Sequence, residues 1–266
     1  MKKLIKSIFF LFLRYAIQSN FITAKVVNLK ASFRCSTRDV LGRHLYKYGM
    51  HEPENSKFLL QTIKLGDGDI AIDIGANLGW YSVLLNRISE SGSLVFAFEP
   101  DPNNFELLKF NVTKNDCSNV KAFNNAASDK NETLSLYKYP EKNRGRHSLL
   151  PQKNVQKVDV SAVCLDAFLD SELHSKVKFI KIDIEGYEFY ALRGAINILK
   201  YCPMVMMEFS PHLYPETSHA TELVHFMANL EFVPKLLMHG KLEEIDLDLL
   251  ICETRQVDVF WIKKLG

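Results

Sequence analysis

The stretch Ile70–Ser82, IAIDIGANLGWYS, predicts a buried strand, a glycine-containing turn and the start of a helix. Asp73 lies within the strand, and Gly75 and Gly79 bracket the turn. A second apolar run, LVFAFEP, carries Glu99 at its end, twenty residues after Gly79. Two strand ends joined by a helix form a nucleoside pocket, with the turn against the ligand and the second carboxylate on the ribose hydroxyls.

The spacing of the glycines restricts which nucleoside fits. A dinucleotide-binding loop needs G-x-G-x-x-G, because three close glycines let the backbone approach a pyrophosphate. This chain has GANLG, with two glycines four residues apart. Asp73 would repel a pyrophosphate, whereas a carboxylate suits the ammonium and sulfonium groups of S-adenosylmethionine. The alternative is that Asp73 only caps a turn in another kind of α/β protein.

Charge is distributed unevenly along the 266 residues. Residues 1–38 carry eight basic and no acidic residues, while the remainder carries 25 basic and 31 acidic residues, a net charge of −6. An acidic body is not typical of a nucleic-acid-binding protein, which needs a cationic face. The length suits one domain with an extension, and the hydrophobic content of 47% suits a large core.

The cysteines are scattered and odd in number, and none belongs to a C-x-x-C pair. They are Cys35, Cys117, Cys164, Cys202 and Cys252. This pattern indicates neither a disulfide framework nor a zinc site, so a reducing, cytoplasmic location is expected.

Residues 1–45 are expected to form a basic, apolar extension that begins with an interfacial helix. Its run IFFLFL is too short to span a bilayer, and no small-residue cleavage site stands out after it. On a helical projection the cations gather on one side and most apolar residues on the other, while Phe10, Leu13 and Ile17 fall on the polar side. We therefore predict peripheral membrane contact through residues 1–20. Docking on the body or on a dimer partner, and a secretion signal, are the alternatives.

From His51 onward, strand and helix signals alternate, which is typical of a parallel sheet with helices on both faces. The exception is a hairpin-like pair of strands at Thr133–Tyr137 and Val158–Val163, joined by a long polar loop. In open sheets of this kind the ligand lies outside the carboxyl ends of the strands. Acidic residues gather at these ends, namely Asp73, Glu99, Asp129, Asp183, Glu185 and Glu208.

Successive blocks of the chain carry a family resemblance. They are GDGDIAIDIGANLGWYS, FEPDPNNFELLKFNV, AASD, VCLDAF, FIKIDIEGYEFYALRGA and VMMEFSP, with KIDIEGYE (Lys181–Glu188) the most specific. Together with the approach YGMHEPE, they resemble the FkbM family of S-adenosylmethionine-dependent methyltransferases over residues 46–262. The resemblance implies a catalytic domain at residues 46–266 with an α/β, class I methyltransferase (Rossmann-like) fold. Its mostly parallel seven-stranded sheet has helices on both faces and one antiparallel strand.

Carried over to this chain, the resemblance implies a site for S-adenosyl-L-methionine. The residues implied to bind it are Asp73, Gly75, Ala76, Asn77 and Gly79 at the methionine end, Glu99 beside Pro100 on the ribose, and Ala126 and Ala127 at the adenine. Asp183 and Glu185 fall at the strand end beside the transferring methyl.

A base near the acceptor hydroxyl would assist the transfer. The candidates are Asp183, Glu185, Glu208 and His212, with Asp183 or Glu185 favoured. Glu185 could instead bind backbone amides in its turn, and His212 could cap the following helix. Clustered carboxylates can also bind a divalent metal, but no spacing demands one and no metal is assigned.

The long loop adds Arg144, Arg146, His147 and Ser148, which either contact an acceptor or belong to a solvated segment. The leading hypothesis is O-methylation of a sugar hydroxyl in a glycan, polysaccharide or glycolipid precursor. The alternatives are O-methylation of a small secondary metabolite and a non-catalytic nucleoside-binding scaffold.

Overall fold

The computed structural model describes residues 2–139, 147–151, 155–214 and 217–264. The strands are β1 Phe21–Val26, β2 Ala31–Ser36, β3 Ile70–Ile74, β4 Leu94–Phe98, β5 Val120–Phe123, β6 Ala126–Ser128, β7 Glu132–Lys138, β8 Gln156–Cys164, β9 Val177–Ile182, β10 Met204–Phe209, β11 Phe232–Met238, β12 Lys241–Glu244 and β13 Val257–Lys263.

The helices alternate with these strands over most of the chain, as the sequence pattern predicts. They are α1 Lys2–Tyr15, α2 Val40–Tyr48, α3 Pro53–Thr62, α4 Trp80–Arg87, α5 Pro102–Lys114, α6 Leu165–Phe168, α7 Glu188–Arg193, α8 Ile196–Leu199, α9 Thr217–Asn229 and α10 Leu247–Ile251. Short 3₁₀ helices cover Val27–Leu29, Ser171–Lys176 and Pro211–Leu213.

The main sheet has the order β12-β11-β13-β10-β9-β3-β4-β5. Strands β5, β4, β3, β9 and β10 are parallel, and β13 runs antiparallel to both of its neighbours. The class I methyltransferase fold is therefore confirmed, with its mostly parallel sheet and its antiparallel strand. An eighth strand, β12, adds to the seven expected.

Strand β12 was not predicted, because its sequence KLEE does not contain the apolar run by which a buried strand is recognised. It pairs antiparallel with β11 across the two-residue turn His239-Gly240, in which both residues have positive φ. This conformation matches the twist of a two-residue hairpin, and charged residues are common on exposed edge strands.

The predicted pair of strands at residues 133–137 and 158–163 is also confirmed, as the antiparallel hairpin β7–β8. Strand β6 joins β8 in parallel to complete a separate three-stranded sheet. The segment between β9 and β10 contains two short helices, α7 and α8, with Gly194 and Ala195 between them. A Cβ on Gly194 would lie 1.9 Å from the Ser128 carbonyl oxygen, so the break lets this segment pack tightly against β6.

Two apolar cores cover the two faces of the main sheet. One contains Phe33, Trp80 and Leu108, and the other contains Ile180 and Leu223. The hairpin β1–β2 contributes to the first core, so part of the N-terminal 45 residues packs directly on the body. The division of the chain at residue 46 stays a prediction.

Two asparagines of α5 hold this hairpin in place. The Asn111 side chain accepts from the Arg34 amide at 2.7 Å and donates to the Arg34 and Leu78 carbonyls, and Asn115 pairs in the same way with the Ser32 backbone. These side chains thereby form hydrogen bonds with backbone groups of β2 that have no partner in a neighbouring strand. Such bonds stabilise the fold, because buried polar groups without a hydrogen bond are costly.

We expect Asn111→Ala to lower the free energy of unfolding by about 2 kcal/mol, because it leaves three backbone groups without their partner. Chemical denaturation measures the loss. The matched control is Asn103→Ala in the same helix, whose side chain is exposed and whose loss should be small. Equal effects of the two substitutions would contradict the role of Asn111 in holding the β1–β2 hairpin, a contact that we call the asparagine clamp.

Candidate active site

A cavity of about 600 Å³ lies at the carboxyl edge of the main sheet, within the size range of small-molecule sites. It extends from the end of β4 to the start of β13. Nine predicted site residues line it, namely Gly75, Asn77, Glu99, Pro100, Ala126, Ala127, Asp183, Glu185 and Glu208. The ends of β3, β4, β9 and β10 thus converge with the small sheet at this cavity. The roles of these residues toward a ligand stay predictions.

The turn after β3 brings two strand ends into direct contact. Gly75 has a φ of +78°, and a Cβ there would lie 2.0 Å from the Asp183 carbonyl oxygen. The amides of Gly75 and Ala76 both donate to the Phe98 carbonyl at 3.0 Å. A side chain at position 75 would therefore separate β3 from β9 and intrude on the cavity.

Asp73 lies beneath this turn and not on the cavity wall. Its side chain is fully buried, and Oδ2 accepts from the Ser82 hydroxyl at 2.6 Å. Asp73 is not among the residues that line the cavity, and its implied place at the methionine end stays a prediction. Burial raises the pKa of Asp73, and the ammonium of Lys181 opposes that rise. Asp73 acts on the site through this neighbour.

Ala76 and Gly79 also lie off the cavity wall. Ala76 is buried, and Gly79 begins α4 with a φ of +92°. A Cβ on Gly79 would lie 2.8 Å from Leu108 Cδ1, so this glycine permits close packing of α4 on α5. Neither residue is among those that line the cavity, and their roles toward a cofactor stay predictions.

Lys181 is a buried cation on β9. It belongs to the block KIDIEGYE, but no role was predicted for it. Its ammonium lies 3.2 Å from Asp183 Oδ2 and 5.1 Å from the centre of the Tyr81 ring. Burial lowers the pKa of Lys181, but the nearby charges of Asp183, Asp73 and Glu52 outweigh it and hold the pKa above its usual value. The lysine therefore stays charged and links these carboxylates.

Glu99 follows β4 and fixes the two loops on either side of it. Its carboxyl oxygens accept from the Asn77 amide at 2.7 Å and from the Asp101 amide at 2.9 Å. Burial raises the pKa of Glu99 to about 8, against the opposing effect of these two amides. The group is thus mostly neutral at pH 7 and would gain from hydroxyl donors that stabilise its ionised form.

Three carboxylates converge at the other end of the cavity. Asp183, Glu185 and Glu208 each offer an oxygen within 4.8 Å of the others, and within the described part of the chain they form the one group that could hold a metal ion. Burial raises the pKa of Glu208 well above its usual range, and the charges of Asp183 and Glu185 add to this effect. Glu208 is therefore protonated at neutral pH.

The turn Asp183–Gly186 is supported from below by Glu188. This fully buried carboxyl accepts from the Gly186 amide at 3.0 Å and from the Ile184 amide at 3.3 Å. Burial raises its pKa to about 7, while the amides oppose the rise. The amide-binding role considered for Glu185 thus belongs to Glu188, and Glu185 itself lies on the cavity wall with a φ of +53°.

His212 is not among the residues that the structure brings to the cavity. Strand β10 ends on Phe209, and the chain then turns into the 3₁₀ helix Pro211–Leu213, where His212 is exposed. Glu208 lies on the strand and faces the cavity, but His212 lies beyond the turn. His212 is therefore not positioned to act as a base on a ligand in this cavity.

The end of the long loop folds back over the site. His147 lines the cavity, and the Ser148 hydroxyl donates to the Glu185 carbonyl at 2.7 Å. Ser148 therefore supports the turn and is buried, so it is not an acceptor contact. Arg144 and Arg146 lie outside the described residues.

The cavity is also lined by residues that were not predicted, and His51, Glu52 and Gln256 are polar examples. His51 Nε2 lies 2.9 Å from Glu52 Oε1, and Glu52 also accepts from the Tyr81 hydroxyl. The Gln256 amide donates to Glu208. His51 and Glu52 belong to the block YGMHEPE, which was the available signal, but the sequence does not tell that α3 begins at the cavity.

Comparison with known proteins places this site in a family. The family model described as the methyltransferase FkbM domain matches residues 73–234, which is more than half of the chain. The chain belongs to the FkbM methyltransferase family. It is an enzyme, an S-adenosylmethionine-dependent methyltransferase, as the resemblance of its sequence blocks implies.

Two curated relatives and one solved structure illustrate the range of similarity. The hexuronic acid methyltransferase AglP of Haloferax volcanii is 25% identical over 175 residues, which cover 63% of this chain and 70% of that protein. Methyltransferase sdnD of Sordaria araneosa is 28% identical over 154 residues, which cover 46% of this chain and 59% of that protein. The crystal structure of an FkbM methyltransferase from Methylobacillus flagellatus is similar in fold, with a TM-score of 0.50 at 17% identity. The match covers 81% of this chain and 49% of that one.

The family and the fold imply the use of S-adenosylmethionine, and the cavity fits such a ligand. Gly75, where a side chain would intrude, lies on the cavity wall between Glu99 and the cluster of Asp183, Glu185 and Glu208. The buried Glu99 carboxyl has a raised pKa and room for hydroxyl donors, as a ribose diol requires.

The raised pKa of Glu99 predicts a pH dependence of nucleoside binding. Ribose hydroxyls favour the ionised form, so binding below pH 8 must release a proton. We expect the affinity for S-adenosylhomocysteine to rise between about pH 6 and about pH 8, by up to roughly tenfold per pH unit. Calorimetry in buffers of different ionisation enthalpy measures both the affinity and the released proton.

Glu99→Gln should remove this dependence, because the amide cannot ionise. The control Glu90→Gln, at an exposed position, should keep it. A pH-independent affinity in the unmodified protein, or a dependence that survives Glu99→Gln, would refute the assignment of the released proton to Glu99.

Glu208 predicts a pH dependence of stability. Because its pKa is higher in the folded state than the usual 4.5, the unfolded chain loses its proton first as the pH rises. Glu208 thus destabilises the fold increasingly above about pH 5, until it ionises in the folded state too. Glu208→Gln should therefore raise the melting temperature, and the gain should grow between about pH 5 and about pH 9. A gain that shrinks with rising pH would contradict a protonated Glu208.

Proposed function

We propose that this enzyme methylates a hydroxyl of a sugar within a glycan, polysaccharide or glycolipid precursor. The observation that carries the proposal is the chemistry of the cavity on the far side of Gly75 from Glu99. There Asp183, Glu185 and Glu208 present carboxyl oxygens within 4.8 Å of one another. Such a surface favours a ligand rich in hydroxyl donors over an apolar ring, since buried carboxyl oxygens need hydrogen-bond donors.

The nucleoside would lie at the opposite end, between β4 and the small sheet. Glu99 would accept from the ribose hydroxyls, and Ala126 and Ala127 offer a small apolar surface for the adenine. Asn77 and Pro100 complete that wall. This direction leaves the methyl group near Gly75, which is the position where β3 and β9 meet.

Bound S-adenosylmethionine supplies a methyl carbon on a sulfonium, a group that leaves as a neutral thioether. The chain must therefore align the acceptor oxygen and take up the hydroxyl proton. Asp183 is suited to accept this proton, because the Lys181 ammonium lies 3.2 Å from its carboxylate and holds the carboxylate in position. Glu208 is protonated at neutral pH and cannot accept that proton, so it serves as a hydrogen-bonding group. Glu185 stays a second candidate for the base.

A relative supports the acceptor class. AglP is named a hexuronic acid methyltransferase, which is a sugar-directed activity. In the present chain the acidic cluster would repel a carboxylate, so the part of the acceptor that faces it should be a neutral hydroxyl. The acidic body and this acidic cavity also argue against nucleic acid as the acceptor. We propose that the enzyme acts in the cytoplasm, in peripheral contact with a membrane.

Removal of the Asp183 carboxylate tests the mechanism. We expect Asp183→Asn to lower kcat by about 10²- to 10⁴-fold on a sugar acceptor, the range for loss of a general base, with little change in the affinity for S-adenosylhomocysteine. Radiolabelled methyl transfer to a panel of glycolipid and oligosaccharide extracts measures the rate. Asp170→Asn, an exposed aspartate on the connection to β9, is the matched control and should keep full activity.

The same panel decides between the acceptor classes. Labelled O-methyl sugars support the proposal. Methyl transfer only to small phenolic or polyketide hydroxyls would replace it with the metabolite hypothesis. Binding of S-adenosylhomocysteine without transfer to any sugar acceptor would count against a catalytic role on glycans and favour a scaffold.

A further inference from the structure

Helix α1 docks on the body through the side that the helical projection labels polar. Phe10 is almost fully buried, with its ring centre 6.0 Å from that of Tyr46 on α2. Leu13 is half-buried against the same core, and the Lys6 ammonium donates to the Tyr46 carbonyl at 3.1 Å. Two of the apolar residues that fell on the polar side therefore attach α1 to α2. The broad apolar face of α1 is left pointing outward.

This outward face is large and continuous. Seven apolar side chains on α1 are each between 47% and 66% exposed, namely Leu4, Ile5, Ile8, Phe9, Leu11, Phe12 and Tyr15. Their spacing of three and four residues places them along one side of the helix. Monomeric soluble proteins rarely expose apolar patches of this kind unless they bind something.

Positive charges border the apolar face. Lys3 lies 5.1 Å from the centre of the Tyr48 ring, Arg14 stacks on Tyr15, and Arg43 of α2 is exposed nearby. Residues 1–38 contain no acidic residue, and Asp39 is the one carboxylate that lines the same groove as Arg14 and Arg43, so the cations outnumber it there. A second copy of the chain would bring the same cations against each other, which disfavours a dimer through this face. No described helix is long and apolar enough to cross a membrane.

We infer that α1 is a membrane-docking helix whose outward face enters the headgroup–acyl boundary of an anionic phospholipid bilayer. The apolar side chains supply burial, and the bordering cations supply attraction to anionic headgroups. Aromatic residues within the face, Phe9, Phe12 and Tyr15, are of the type that is enriched at this boundary.

The position of α2 links this helix to the cavity. Val40 and His44 line both the groove beneath α1 and the active-site cavity. One helix therefore separates the lipid-facing surface from the mouth of the site. The geometry points to an acceptor that is presented at the bilayer surface, a sugar on a lipid anchor. This last step rests on the proposed function.

Vesicle flotation of the full-length protein tests the docking helix directly. We expect binding to vesicles of phosphatidylcholine with about one third phosphatidylglycerol, weaker binding to pure phosphatidylcholine, and partial release when salt rises from about 0.1 M to about 0.5 M. The double variant Ile8→Glu, Phe12→Glu should bind these vesicles at least roughly tenfold more weakly, because both side chains lie on the outward face.

The matched control is Leu249→Glu, an equally exposed apolar residue on α10, and it should leave vesicle binding unchanged. Circular dichroism and S-adenosylhomocysteine affinity should be the same in all variants, which shows that they fold. Absence of binding to anionic vesicles, or equal binding by the double variant, overturns the inference. Sedimentation velocity supplies the other contrary outcome, a dimer in the absence of lipid that the double variant makes monomeric.

A second comparison separates the docking helix from the methyltransferase proposal. The double variant should keep its rate on a water-soluble oligosaccharide but lose at least about tenfold on the same sugar anchored in anionic vesicles. Equal loss on both acceptors would contradict the role in presentation. Failure of flotation leaves the catalytic proposal intact, and failure of methyl transfer leaves the vesicle result intact, because each assay has its own readout.

Discussion

A buried ammonium group organises this site. Lys181 lies inside the sheet, pairs with Asp183 directly after its own strand, and is held in its charged form by Asp73 on β3 and Glu52 at the start of α3. A buried charge without partners is very costly, so these carboxylates and Lys181 must stay together for the fold to be stable. The cation thereby fixes the relative positions of two strand ends and of the N-terminal wall of the cavity.

The remaining carboxylates of the site exceed what one lysine can neutralise. Glu99, Glu188 and Glu208 are buried and Asp258 is half-buried, all with raised pKa values, and the last two are in register on neighbouring strands. Ligands that donate hydrogen bonds would favour the ionised forms of these carboxyl groups. Ribose and sugar hydroxyls are such donors, which is why the same feature serves the two ends of the proposed reaction.

The sequence was sufficient for elements with strong local signals. Strands β3 and β4 are the two apolar runs from which the nucleoside pocket was predicted. It was insufficient where tertiary contacts decide. Asp73 points into the core beneath α4. The sequence could not predict this, because alternation along a strand does not tell which of its faces meets the ligand. His212 turns away after β10, and His51 reaches the cavity only because α2 and α3 fold across it.

The asparagine clamp between α5 and β2 has a consequence for which sugar is modified. Because Asn111 and Asn115 fix the hairpin to the body, and α1 and α2 pack next to it, the N-terminal elements cannot swing as a separate arm. With α1 seated in lipid, the cavity mouth would stand at a constant height above the bilayer. Under the proposed membrane docking, the distance of a hydroxyl from its lipid anchor would then contribute to which hydroxyl reaches the site.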